Sequence, residues 1–156
     1  MGQLLLIDTR EKPKAIETIL KQFDEAGIHY ERTKLLFGDY MDYNRPQIVI
    51  DRKQNVLEMA KNVTTDRARF VAELERAKAA GATLVILVEQ IRYKDRDEWK
   101  QIHDISDLML WSSPHTKIRG ERVFRSLSSL IAKYGISVQF CDKRVTGRKI
   151  LEIIYE

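Results

Sequence analysis

The sequence predicts an α/β fold, a central mixed sheet flanked by helices, and three observations carry that prediction. Segments of helical periodicity alternate with short strand-like runs along the chain. Thr83 to Val88 is a continuous apolar run of the kind found in strands buried on both faces. Residues 29–53 hold three extended segments in succession with turn chemistry between them, which adds antiparallel pairing to the sheet.

The elements follow in order. Gln3 to Asp8 is an apolar run ending in an acid, a buried strand whose last side chain emerges at the sheet's carboxyl edge. Pro13 opens a helix in which Ile16, Ile19, Leu20 and Phe23 recur on one face, and Gly27 lies beyond its end. Residues 29–36, 40–43 and 47–53 read as an antiparallel meander, with Gly38-Asp39 and Asn44-Arg45-Pro46 as its turns. Thr65 or Asp66 caps a helix carrying Phe70, Leu74 and Ala77 and stopped by Gly81, and the strand Thr83 to Val88 follows. In the stretch 90–116, Trp99, Ile102, Ile105, Leu108 and Met109 suggest a helix that Ser112-Ser113-Pro114 interrupts. From Glu121, the residues Phe124, Leu127, Ile131 and Tyr134 mark a helix ending at Gly135; a strand at Ile136 to Cys141 and a helix from Thr146 to Tyr155 complete the chain.

Bulk properties narrow the function classes. A chain of 156 residues builds one ordinary domain and is short for two good cores, so a single domain over 1–156 is expected. No apolar run nears the length of a membrane span, and Met1-Gly2-Gln3 lacks the basic leader of a secretory signal, so a cytoplasmic location is expected. Cys141 is the only cysteine, which excludes an intrachain disulfide and a cysteine-based zinc site. His29, His103 and His115 show no ligand spacing, and Trp99 and Trp111 read as core or interface residues. The net charge of +4 permits a polyanionic partner without requiring one.

The chemistry concentrates in Phe37-Gly38-Asp39-Tyr40 and Val49-Ile50-Asp51-Arg52-Lys53. Side chains alternate along a strand, so Asp51 and Lys53 share one face with Val49, while Ile50 and Arg52 share the other. If residues 40–43 pair with 47–50, Asp39 reaches the same edge as Asp51, and two carboxylates meet an ammonium. Phosphodiester hydrolysis uses such a set: hard oxygen ligands for Mg²⁺ or Mn²⁺, and a cation beside the reacting phosphate.

These motifs resemble the nuclease domain of the XPF-type structure-specific endonucleases, the XPF and Hef nucleases of the PD-(D/E)xK superfamily. Their signature, G-D-x(n)-E-R-K-x(3)-D, reads here as Gly38-Asp39 and Asp51-Arg52-Lys53. The opening Ile7-Asp8-Thr9-Arg10-Glu11, the helix Asp66-Arg67-Ala68-Arg69-Phe70 with Glu73-Leu74, and the strand Leu84 to Glu89 also fit. The resemblance implies a restriction-endonuclease-like fold, metal binding by Asp39 and Asp51, and a catalytic Lys53. It makes Asp8, Arg10 and Glu11 accessory residues, gives Arg52 either a phosphate contact or an ion pair that orients the acids, and assigns DNA contact to Arg67 or Arg69. Two departures stand out: Asp51 replaces the family's Glu, and Leu57 replaces its final Asp, leaving Glu58 or Glu73 to supply a further carboxylate.

The expected function is therefore a Mg²⁺- or Mn²⁺-dependent DNA endonuclease acting on branched or flap DNA. The sequence ends without the tandem helix-hairpin-helix module of many relatives, which leaves specificity to a partner protein or a homodimer. The rival readings are a catalytically silent DNA-binding partner subunit and a junction resolvase of the same superfamily. Val123 and Leu130, apolar beyond the core stripe, read as a dimer face or as extra core.

Overall fold

In a computed structural model, which describes residues 2–156, six strands form one mixed sheet in the order β2-β1-β3-β4-β5-β8. They are β1 (Leu5–Asp8), β2 (Tyr30–Thr33), β3 (Tyr40–Asp42), β4 (Arg45–Lys53), β5 (Thr83–Val88) and β8 (Ser137–Phe140). The helices are α1 (Glu17–Glu25), α2 (Val56–Val63), α3 (Arg67–Ala79), α4 (Gly120–Tyr134) and α5 (Thr146–Tyr155); β6 (Arg92–Asp95) and β7 (Glu98–Gln101) pair as a separate hairpin.

The sheet separates two apolar cores. On one face Val49, Leu84, Ile86 and Val88 pack with Met59, Phe70, Leu74, Val123 and Leu127 from α2, α3 and α4. On the other, Leu5, Ile7, Tyr40, Ile50, Val85 and Leu87 pack with Ile16, Ile19, Phe23, Ile150 and Ile154 from α1, α5 and the turn before α1. Alternate residues of β4 and β5 thus serve opposite cores, as a strand covered on both faces requires. Among the described residues no helix is long and apolar enough to cross a membrane.

The expected mixed sheet is present, but its meander is not. Of the three expected segments only the last two, β3 and β4, form an antiparallel hairpin, with Tyr40 opposite Ile50 and Met41 opposite Val49, and its turn is Tyr43-Asn44. Pro46 sits where the register shifts, between the pairs Met41–Val49 and Asp42–Arg45, a position suited to a residue with no N–H for the ladder. The chain returns through α1 to lay β2 parallel to β1 at the sheet edge, so β1 lies between β2 and β3.

The stretch 90–116 departs further from expectation. Instead of a helix it holds the β6–β7 hairpin, a short 3₁₀ turn at Ile105–Leu108 and an irregular loop. Its turn places Arg96 at φ 59°, and Tyr93, Ile102, Leu108 and Trp111 are buried while Trp99 is exposed. Val123 and Leu130 on α4 are buried within the core, which removes the dimer face read from them. Asp66 precedes α3 without a side-chain cap, and the Thr65 hydroxyl bonds back to the Lys61 carbonyl.

Candidate active site

The carboxyl end of β4, the loop after β1 and the loop before β3 meet α2 and α3 in a cleft of about 320 Å³. Its walls include Asp39, Asp51, Lys53, Glu58, Glu73, Arg10, Arg69 and Arg76. Gly38 makes this approach possible: its φ is 70°, and a Cβ there would stand 2.2 Å from Val49 Cγ1. Its N–H donates to Glu73 Oε2 at 3.0 Å. The next residue is tied on both sides, with Asp39 N–H donating to the Ile50 carbonyl and the Asp39 carbonyl accepting from Asp8 N–H.

Asp39 and Asp51 therefore converge as the alternation of β4 predicts. Asp39 Oδ2 accepts the main-chain N–H of Arg52 at 2.8 Å, and Asp51 Oδ1 lies 3.2 Å from Lys53 Nζ. Burial, then the neighbouring Asp51 and Glu11 charges, push the Asp39 carboxyl well above the ordinary aspartate range. Burial and then Asp51 likewise raise Glu73. For Lys53, burial opposes the charge, but Asp51 and Asp39 outweigh it and the net shift is upward, so the side chain is an ammonium.

Behind the cleft lies a second charged group. Arg52 projects to the opposite face of β4, where Nε and Nη2 donate to Glu11 at 2.6 and 2.9 Å and Nη1 donates to Glu89 at 2.5 Å. Tyr40 hydroxyl also donates to Glu11, and Thr146 hydroxyl to Glu89. This network ties β1, β3, β4, β5 and α5 together at the level of the acids. Of the two roles expected for Arg52 the geometry fits the ion pair, because each guanidinium nitrogen donates to a carboxylate and the side chain is only 6% exposed.

Asp8 does not line the cleft. Its carboxylate accepts from the N–H groups of Leu35 and Arg10 and from Arg10 Nε. Burial works against that charge, yet these donors hold it below the ordinary range. Arg67 is also placed away from the cleft walls, with Nη1 on Ser126 of α4, whereas Arg69 is exposed on them. Leu57 is half-buried against the core, and Glu58, exposed at the start of α2, accepts the Gln54 N–H. Two residues were not expected in the site: Glu89, read only as the end of a strand and placed at the carboxyl edge just past β5, and Arg76, read only as one of several basic residues and placed two helical turns after Arg69 on the cleft.

Comparison with known proteins now decides the family. Residues 7–151 match the ERCC4 domain. The chain belongs to the ERCC4 domain family. None of the curated proteins compared matches it. Among solved structures it resembles XPF from Aeropyrum pernix, at 18% identity and a TM-score of 0.65, over 96% of this chain and 62% of that one. A structure of XPF from Aeropyrum pernix in complex with DNA matches at 19% identity and a TM-score of 0.66, over 97% and 62%. This ERCC4 domain thus spans less than two thirds of those chains, and at these identities the likeness speaks for the fold.

The donors at this site are of the hard oxygen type that a divalent cation such as Mg²⁺ takes. Among the described residues no three His, Cys, Asp or Glu side chains form a ready-made cage. Asp51 Oδ2, however, is buried without a hydrogen-bond partner, and Asp39 stands beside it. Two hard carboxylates, one with an orphaned oxygen, fit Mg²⁺ or Mn²⁺, since Mg²⁺ keeps several waters and takes one or two carboxylates plus substrate phosphate.

Proposed function

We propose that this domain is a divalent-metal-dependent endodeoxyribonuclease that acts on branched or flap DNA, with Asp39 and Asp51 as metal ligands. The observation that carries the reading is the buried, unpartnered Oδ2 of Asp51 beside Asp39 and the Lys53 ammonium. Beyond burial, which raises the Asp39 carboxyl most, the site carries the repulsion of the adjacent Asp51 carboxylate. A bound Mg²⁺ or Mn²⁺ would relieve it, lower the pKa of a water and offset phosphate charge.

The chain's own groups do the rest. The Arg52 N–H fixes the Asp39 carboxylate, and the Glu11–Arg52–Glu89 network holds the strand that carries Asp51 and Lys53. Lys53, already charged, serves as a cation toward the scissile phosphate and leaves water deprotonation to other groups. Glu73, raised beside Asp51 and bonded to Gly38, is the better placed of the two acids expected to supply a further carboxylate. Arg69, Arg10 and Arg76 rim the cleft and give the DNA backbone its counter-charge.

The test is incubation with labelled duplex, single-stranded, flap and four-way DNA, with Mg²⁺, with Mn²⁺ and with a chelator. Cleavage that needs the metal and favours a branched substrate is the expected result. Absence of cleavage on every substrate, with binding retained, would instead mark a silent DNA-binding subunit.

A further inference from the structure

The β6–β7 hairpin lies outside the main sheet, and its two faces differ in chemistry. Antiparallel pairing sets Arg92 opposite Gln101 and Lys94 opposite Trp99, so these four side chains share one face. All four are exposed, and Trp99 keeps 56% of its surface open to solvent. The other face carries Tyr93, which is buried and donates its hydroxyl to the Asp107 carbonyl, together with Asp95, Glu98 and Lys100. The outward face thus has two cations, an indole and an amide, and both strand acids are turned away from it. Arg92 Cζ lies 4.6 Å and Lys94 Nζ 5.5 Å from the Trp99 ring centroid, so both cations stand within cation–π distance of an indole that stays largely open.

Position adds to composition. Val88 pairs with Lys53 at the end of β5, and the chain reaches Arg92 four residues later, where the Gln90 side chain bonds the Arg92 carbonyl. Four residues span at most about 14 Å, comparable to about four stacked nucleotides at roughly 3.4 Å each. The hairpin therefore begins within about 14 Å of the Val88–Lys53 pair at the cleft's edge.

We propose that the outward face of the β6–β7 hairpin receives the unpaired DNA strand of a branched substrate, with Trp99 stacking on a base and Arg92 and Lys94 meeting its phosphates. An indole with two cations beside it offers both parts of single-strand recognition, an aromatic platform and counter-charge along the backbone. A fully paired duplex keeps its bases stacked and gives the ring nothing to lie on, so the contact would distinguish branched from plain duplex DNA. The occupant proposed here rests on the nuclease reading above.

The experiment measures binding by fluorescence anisotropy in a chelator, using labelled duplex that carries a single-stranded arm and the same duplex without it. Trp99→Ala, a change at an exposed position, should weaken binding of the armed DNA on the order of tenfold and of the plain duplex by less than about twofold, with Trp99→Phe retaining most of the affinity. The pair Arg92→Gln and Lys94→Gln should lower the slope of log affinity against log salt on the armed DNA by about 1.4, at roughly 0.7 per single-strand phosphate. If Trp99→Ala changes neither DNA, or weakens both equally, the hairpin proposal is overturned and the nuclease reading stands. If the wild type binds none of these DNAs, the nuclease reading fails and takes the hairpin's occupant with it.

Discussion

Replacing Arg52 by Met tests whether the charged network behind the cleft holds the site in place. Arg52, Glu11 and Glu89 have side-chain exposures of only 6%, 11% and 8%, and every arm of the guanidinium is engaged. Met fills much of the same volume but leaves two buried carboxylates facing each other without a cation. Breaking a buried pair in this way costs about 3–5 kcal/mol, a large part of the roughly 5–15 kcal/mol that holds a domain together. At about 2–4 °C per kcal/mol for a chain of this size, Tm should fall by roughly 6–20 °C. Calorimetry at neutral pH measures the loss. Adding Glu11→Gln and Glu89→Gln to Arg52→Met removes the stranded charges and should recover a substantial part of it. The main-chain N–H that Arg52 gives Asp39 is untouched by the substitution. A Tm within about 2 °C of wild type, or a triple variant no more stable than Arg52→Met, would show that the network does not hold the strand.

Two further predictions concern the cleft itself. Asp39 is held above its unfolded value, so between the two values the folded chain keeps a proton that the unfolded chain has lost, and stability in a chelator should fall as pH rises from about 4 through the raised value. Asp39→Asn should flatten that fall, and unchanged curves in a thermal-melt series would contradict the repulsion argument. Lys53→Ala should slow single-turnover cleavage on the order of a hundredfold or more with a much smaller change in DNA affinity, because an ammonium beside the phosphate acts mainly in the transition state; wild-type turnover by the variant would leave Lys53 as a strand-surface lysine.

How far the sequence could be read depended on the range of the interaction. Helix α5 begins and ends where its periodicity and Thr146 place it, and α4 stops at Gly135, whose φ of 66° needs no Cβ. The partner of β2 was not legible, because a strand's own alternation says which side faces the core and nothing about which edge it joins. The stretch 90–116 misled because Trp99, Ile102 and Ile105 recur every three residues as on a helix. They serve separate surfaces instead: Trp99 faces solvent, Ile102 joins the core, and Ile105 packs against it. In the site, the convergence of Asp39, Asp51 and Lys53 follows from strand parity and a short hairpin. Glu89 meets Arg52 across 37 residues, and no local pattern announces that.

Strand β4 explains why fold and site are inseparable here. Val49 enters one core and Ile50 the other; Asp51 and Lys53 then enter the cleft, while Arg52 enters the network opposite. A slip of one residue would move every side chain to the wrong face, setting Arg52 among the cleft's cations and Asp51 against Glu11 and Glu89. Charge and hydrophobicity thus select the same register independently. The pairing with β5 is accordingly regular from Ile48–Thr83 to Lys53–Val88, and the one irregularity of β4, between Met41 and Asp42 on its partner strand, lies beside Pro46 at the end away from the acids. An error in strand pairing there can be absorbed by the hairpin turn; the same error four residues later would dismantle both cores and the cleft at once.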